Sequence, residues 1–537
     1  MTQNTAPPQD AHAGHPRRWL ILSVLVFSLL VVVLDNTVLN VALKTISQPK
    51  PVGLGASQSD LEWSINSYTL VFAGLLFTWG VLADRVGRKR ILILGMVLFG
   101  LSSLLCAYSG SPGQLIAARA AMGFGGAAIM PSTLAMIANV FPRHEQGKAI
   151  GVWAGSVGLA VAIGPIVGGA LLDSFWWGSV FLINVPIVLV ALLAMIFFVP
   201  ESRNPAPGRL DPLGVLLSMA GLVVFVYGVI HGGDTGQWGA VGVWGPLALG
   251  VALLTAFILW ERATDHPALD VRLFTNRAFS AAVVAVSLSF FSLMGALFFI
   301  TFYLQVVRGY TPLHAGLWAL PFAAAQLIFS PLSANAVKRF GPRTVSATGL
   351  GMIAVTFVLY QFITVHSNMW VYGAIAFFQG VAMANVIPPA TTAVMAALPR
   401  EKAGIGSSVN NTVRQVGGAL GIAVLGTILT SAYRSRITPV LDTVPGLPGP
   451  LKHDLSGSVQ ATQTFVENTA KAHPQVVRLV GPSNDAFVHA MHVTTLSAGG
   501  VLLLAAAIVL WWLPRKSALP PASRHPAEQR GESVKTA

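Results

Sequence analysis

Two ionisable residues stand where the chain is otherwise apolar. Asp35 follows the run from Trp19 to Leu34 and precedes Lys44 by nine residues, about 13 Å of helix. Arg119 stands seven residues after Pro112, about 10 Å into the next such stretch but two. A charge at the centre of a bilayer costs about 2.5–3.5 kcal/mol even on lenient insertion scales, so each residue needs a chemical reason. A carboxylate escapes the cost by taking up a proton, and its occupancy then follows access and nearby cations, which is the behaviour of a proton carrier. Arginine keeps its charge and would act on such a carboxyl by approaching and withdrawing. The competing reading for both is a permanently paired packing role. Every other acidic residue fits a loop, a tail or a helix end, so Asp35 is expected to be the single deep carboxylate. Arg414 has no evident interior carboxylate partner and is expected either to line a cavity or to bond helix carbonyls. Phe290, Phe291, Met294, Phe298 and Phe302 fall at helical spacing. Most such stripes pack against neighbours or lipid; Phe298 and Phe302 are the candidates for a cavity wall.

Other chemistries leave no trace in the sequence. No G-x-x-x-x-G-K-[ST] loop occurs, so ATP is not the visible energy source. No His or Cys cluster has metal-ligand spacing, and no nucleophile and base form a recognisable set. The single cysteine, Cys106, forms no intramolecular disulfide. No cofactor is expected beyond a coupling proton.

The elements that position these residues follow from composition. The 537 residues are 54% hydrophobic and only 10% charged, less than half of the roughly 25% that a soluble domain carries. Most of the surface therefore does not face water. Windows of about 20 apolar residues, the length of a spanning helix, fall near 19–43, 61–82, 90–109, 113–139, 150–172, 178–199, 212–231, 240–260, 278–305, 313–336, 344–364, 370–397, 408–433 and 488–513. Fourteen spans put both termini on one side. A cytoplasmic N-terminus places twenty-three basic residues inside and eight outside, with Arg119 and Arg414 within spans. Cytoplasmic loops retain Lys and Arg, so this bias sets both termini in the cytoplasm. It also explains the net charge of +13 without nucleic acid.

A repeat appears at an offset of 257: Gly123, Pro131 and Pro142 recur as Gly380, Pro388 and Pro399, and Gly164 as Gly421. The expected plan is all-α: a tail 1–18, a six-helix bundle 19–199, two inserted helices in 212–260, a second six-helix bundle 278–513 and a tail 514–537. Parallel repeats with a site at their interface are a transporter architecture. The long outer segment 434–487, rich in proline, is expected to be mainly a tether, with a short surface helix or hairpin near 455–472 and a possible capping role.

The loop between the second and third spans reads Gly80-Val81-Leu82-Ala83-Asp84-Arg85-Val86-Gly87-Arg88-Lys89-Arg90. As bare charges it is an inside loop; its spacing is more specific. It resembles the signature motif of the major facilitator superfamily, matched by Gly80, Asp84, Arg85, Gly87, Arg88 and Lys89. Leu34 to Leu43 resembles the first-span motif of the fourteen-span drug:proton antiporters, and Arg119, Gly123 and Gly125 the fourth-span motif, with Met122 where the family often has Gln. Gly151, Gly164, Pro165, Gly168 and Gly169 resemble the fifth-span antiporter motif, with Ala160 in place of one glycine.

The resemblance implies an exporter of hydrophobic drugs, antibiotics or quaternary ammonium compounds that rocks two bundles about a central cavity in exchange for protons. It assigns proton coupling to Asp35 with Arg119, and the cytoplasmic gate latch to Asp84 with Arg88. The second-half loop, Lys338 to Arg343, keeps Arg and Gly without the acid, so the first-half latch is expected to dominate. With one deep carboxylate, a monocation or a neutral lipophile is easier to hold than a dication. The protein is expected to be a multi-pass cell-membrane transporter rather than an enzyme, acting as a monomer on a small lipophilic substrate. A carrier for an endogenous metabolite, peptide or ion is the alternative, and a non-transporting membrane sensor a distant one.

Overall fold

In hydrocarbon a backbone can bond only to itself, and this chain meets that demand with helices. A computed structural model describes residues 15–203, 210–264, 267, 269, 271–396, 403–444, 446–470 and 473–513, with no strand among them. The tails 1–14 and 514–537 and the Leu398-Pro399-Arg400 turn lie outside the described residues.

In chain order the helices are α1 (Arg18–Ser47), α2 (Gln58–Val86), α3 (Arg88–Ala107), α4 (Pro112–Val140), α5 (Arg143–Ser174), α6 (Ser179–Leu182), α7 (Asn184–Phe198), α8 (Pro212–Thr235), α9 (Val241–Ala263), α10 (Arg277–Phe302), α11 (Pro312–Leu317), α12 (Leu320–Phe340), α13 (Pro342–Leu359), α14 (Met369–Ala384), α15 (Ile387–Ala396), α16 (Ala403–Asp442), α17 (Gly449–Gly457), α18 (Val459–Thr469) and α19 (Val480–Trp512). Polar residues start them: Ser57 forms a capping box with Asp60, while Ser111, Asp211 and Thr311 each cap a helix opened by proline. Among the described residues thirteen helices are long and apolar enough to cross a membrane. The window near 150–172 falls in α5, whose 32 residues include the apolar stretch Ile163–Ser174.

Helices α1 to α7 pack chiefly on one another, as do α10 and α12 to α19, while the short α11 lies against α5. Helices α8 and α9 pair, and α8 lies between α2 and α16. Glycines set the closest approaches: a Cβ on Gly164 would overlap Thr37 of α1, and one on Gly168 would press on Val38. The second half repeats the device, with Gly417 and Gly421 of α16 against the backbone of Ser287 and Phe291 on α10. Small residues allowing such contact are what hold helices together where lipid removes the hydrophobic drive.

The outer segment differs from the expected tether. Helix α16 runs on to Asp442, 40 residues in all, so Arg434 and Arg436 stand on helix rather than loop. Two short helices follow, α17 and α18, and they are packed. The Tyr433 hydroxyl meets Thr462 Oγ1 at 3.0 Å and Ser483 Oγ at 2.8 Å, and Gln463 Nε2 donates to Asn484 Oδ1 at 2.7 Å. The segment lies against α1, α16 and α19 because its apolar and hydroxyl side chains fall on one side of each short turn.

Candidate functional site

Helix α4 carries Arg119 toward α1 because Gly123 lets it sit against the backbone of α2 at Tyr68, while Gly125 meets the α3 backbone at Phe99. Residues from six helices then converge. Arg119 Nη1 pairs with Asp35 Oδ2, and neither side chain is exposed beyond 1%. Arg119 Nε donates to the Ser64 carbonyl at 3.0 Å, and the guanidinium lies 4.4 Å from the centre of the Tyr68 ring. Asn184, the first residue of α7, donates from Nδ2 to Asp35 Oδ1 at 3.2 Å and to Ser103 Oγ at 3.1 Å. Ser103 in turn donates to the Phe181 carbonyl at 2.8 Å. Arg119 Nη2, the Tyr68 hydroxyl and Asn184 Oδ1 are buried without a protein partner among the described residues.

The expected match in depth of Asp35 and Arg119 is thus a direct ion pair. Two charges removed from water hold together only with further hydrogen bonds, which Asn184 and Ser64 supply. Asn184, Ser103 and Tyr68 escaped the sequence reading because it searched apolar windows for charges and not for amides and hydroxyls. Asn184 stands inside the window 178–199 as its one amide beside apolar neighbours and would have answered the same search.

Asp35 is not the only buried carboxylate, although the others lie at helix ends, as the sequence places them. Glu62 is 2% exposed although it lies one turn inside α2, because α16 and α8 cover that turn. Its Oε1 would lie within contact of a Cβ on Gly426 of α16, and Oε2 has no partner among the described residues. Glu261, also 2% exposed, accepts from the Leu269 amide at 3.1 Å.

At the end of the molecule where α1 begins, Asp84 and Arg88 form an i,i+4 pair at 2.8 Å, and Arg88 Nη1 reaches the Ala135 carbonyl of α4 at 3.3 Å. Gly87 turns the chain at φ 129°, a left-handed conformation that suits glycine. Lys89 is held by Glu201 Oε1, which accepts its amide at 3.1 Å, and by the Ile196 carbonyl at 2.9 Å. Gly80 passes Pro131 closely, and Arg85 is exposed at the end of α2.

The far end, remote from the start of α1, joins the two helix groups. A π-turn at Tyr303–Val307 ends α10. There the Gln305 side chain donates to the Val41 carbonyl at 2.8 Å, and Lys44 Nζ donates to the Gln305 carbonyl at 2.7 Å. Gly169 meets the backbone of Leu313, and Gly316 that of Pro165. The fifth-span residues therefore serve two contacts, Gly164 and Gly168 toward α1 and Pro165 and Gly169 toward α11; Gly151 lies in the same helix.

One expectation about a cavity wall changes. Phe298 and Phe302 are 0% and 1% exposed and meet edge to face at 5.6 Å, so their rings are core between helices. Their period matches the packed face of α10, not an open one. Arg414 is partly exposed, lies 4.3 Å over the Phe290 ring and has no carboxylate partner among the described residues.

Residues 25–422 match the family described as Major Facilitator Superfamily. The chain is similar to the multidrug efflux pump LfrA of Mycolicibacterium smegmatis, 36% identical over 84% of this chain and 89% of that one. It is also similar to the methyl viologen resistance protein SmvA of Salmonella typhimurium, 34% identical over 90% and 96%. A third relative, the tetracenomycin C resistance and export protein of Streptomyces glaucescens, is 33% identical over 79% and 78%. Among solved structures, a bacterial homolog of the human lysosomal transporter Spinster, inward-facing and occupied, matches with a TM-score of 0.66 at 18% identity, over 93% of this chain and 97% of that one.

Proposed function

The chain belongs to the major facilitator superfamily, and we propose that it exports lipophilic drugs, antibiotics or organic monocations across a bacterial cell membrane in exchange for protons. Relatives named for multidrug efflux and tetracenomycin C export, at 33–36% identity over most of their length, support drugs and antibiotics as cargo, whereas methyl viologen, the compound a third relative resists, is a dication and speaks against a strict limit to monocations. The observation that carries the coupling is the buried Asp35–Arg119 pair, held from a third helix by Asn184. A proton arriving at Asp35 neutralises the carboxyl and dissolves the pair; Arg119 then keeps the Ser64 carbonyl, the Met122 sulfur and the Tyr68 and Phe181 rings. A proton thereby changes what joins α1 to α4, and the substrate's arrival reverses the exchange.

In this reading fourteen spans place both termini in the cytoplasm, α1–α7 and α10–α19 are the two rocking bundles, and α8 and α9 are the inserted pair. The far-end contacts are the closed outer gate, and Asp84 with Arg88 belongs to the inner latch. The carrier acts as a monomer and needs no cofactor beyond protons. One proton against one monocation is electroneutral, whereas export of a neutral substrate also draws on the membrane potential, about 2.3 kcal/mol per charge per 100 mV. A second reading, export dedicated to one self-made metabolite, draws on the likeness to the tetracenomycin C export protein.

The test uses vesicles of known orientation. Addition of a transported lipophile should release protons from the wild type, and Asp35→Asn should abolish that release while substrate still binds. Undiminished exchange in Asp35→Asn would remove Asp35 from the coupling role. A panel of monocation, dication and neutral antibiotic separates broad export from a dedicated carrier.

A further inference from the structure

Glu62 combines three properties that packing alone does not require. It is 2% exposed, its Oε2 has no partner among the described residues, and it lies across the seam between the two helix groups, against Gly426 of α16. A Cβ at Gly426 would overlap the carboxyl oxygen, so the two sides are fitted to each other.

Among the described residues no cation pairs with Glu62. On α8 the titratable groups at this level are His231, stacked on Tyr227 at 5.4 Å, and Asp234, an acid like Glu62 itself. On α16 the cation is Arg434, which donates to the carbonyls of Gly233 and Asp234 at the end of α8. On α4 Arg119 is taken by Asp35, and on α1 Lys44 is taken by the Gln305 carbonyl. The far half of α3 brings only the buried thiol of Cys106. A carboxylate enclosed without a cation or hydrogen-bond donor is disfavoured, whereas a neutral carboxylic acid fits.

We propose that Glu62 is a second proton-binding carboxyl, placed in the outer gate: the α2–α16 seam closes on its neutral form and parts when it ionises. Protons outside then favour closure of the outer face, the step that returns an antiporter to receive cargo from within. No bond other than O–H forms or breaks, and the proton is exchanged with the medium that the open seam admits. The proposal rests on the rocking cycle proposed above and not on Asp35 as its coupling residue.

The test is made on the full chain in proteoliposomes, spin-labelled at Phe175→Cys and Trp370→Cys. These positions are 61% and 77% exposed and lie on opposite helix groups at the far end. In the otherwise unaltered chain, raising the pH from about 5 to about 8, across the range of perturbed carboxyls, should move the distance distribution toward separated ends. Glu62→Gln, permanently neutral, should hold the short distances at every pH. The pH response should persist in Asp35→Asn and be lost in the double variant, which separates this proposal from the coupling role of Asp35. Retention of the wild-type response by Glu62→Gln would overturn it. A second measurement does not need the variant to fold: in wild type with isotope-labelled glutamate, the infrared carbonyl band of a neutral Glu should fade over the same pH interval in which the ends separate. Its absence from the closed form would overturn the proposal equally.

Discussion

Arg119 uses its shape as well as its charge. Its Nη1 faces Asp35, its Nε faces the Ser64 carbonyl at 3.0 Å, and its plane lies 4.4 Å from the Tyr68 ring centre. Lysine would keep the charge and lose the fork and the stacking surface. A lost charge-assisted hydrogen bond is worth about 1.5–3 kcal/mol, so Arg119→Lys should slow exchange roughly 10- to 100-fold. Arg119→Ala removes the partner of a buried carboxylate and should cost about 3–5 kcal/mol of stability. Initial rates of substrate-driven proton release, with thermal unfolding of each variant in detergent, check both. A Lys variant with wild-type rates would reduce Arg119 to a point charge. The same argument reaches Asn184, whose one Nδ2 serves both Asp35 and Ser103. Asn184→Ala leaves Asp35 Oδ1 without its donor and should displace the pH profile of transport, whereas a residue that only packed would change expression without moving the profile.

Between elements, the seam of α1 and α5 is set by what Gly164 lacks. A Cβ there overlaps the Thr37 side chain, whose hydroxyl is already held by the carbonyls of Val33 and Leu34 and has little room to yield. Overpacking of this kind costs about 1–3 kcal/mol, so Gly164→Ala should lower thermal stability by that order and Gly164→Val by more, with transport falling in step. The equivalent change at Gly421, against the α10 backbone at Phe291, should act likewise. This seam was legible in the sequence because glycine spacing survives as a pattern and because the repeat displays it twice. The spans were legible too, since hydrocarbon leaves a segment no choice but helix. Asp35 and Arg119 stood out for the same reason, as charges inside apolar runs. What stayed hidden depends on which helices cover which turns. Glu62 looks like a helix-end acid until α16 and α8 close over it, and Phe298 and Phe302 share a stripe whose exposure only the neighbours of α10 decide. In the α17–α18 segment the sequence showed a short helix near 455–472, where α18 stands, but not its packing, which comes from partners such as Tyr433 on α16.

At the scale of the whole molecule, the two helix groups are held at the far end by contacts of different kinds. Steric fits at Gly169 with Leu313 and Gly316 with Pro165 are made by backbone and set the shape of the closed gate. The hydrogen bonds of Gln305 to the Val41 carbonyl and of Lys44 to the Gln305 carbonyl are made by side chains and can be removed singly. They share Gln305 within one small network, so their contributions should couple instead of adding. A hydrogen bond of this type nets about 0.5–1.5 kcal/mol, and more when the donor is charged. Loss of both in a Lys44→Met, Gln305→Ala variant should therefore shift the balance of closed and open far ends by about 10-fold or more toward open. Distance distributions between spin labels at the far end of each group report that balance, and each single variant should show part of the shift. The direction follows from linkage: contacts present in only one of two states stabilise that state alone. A double variant with the wild-type distribution would mean that the backbone fits at Gly169 and Gly316 close the gate by themselves, with Gln305 and Lys44 following the closure instead of maintaining it.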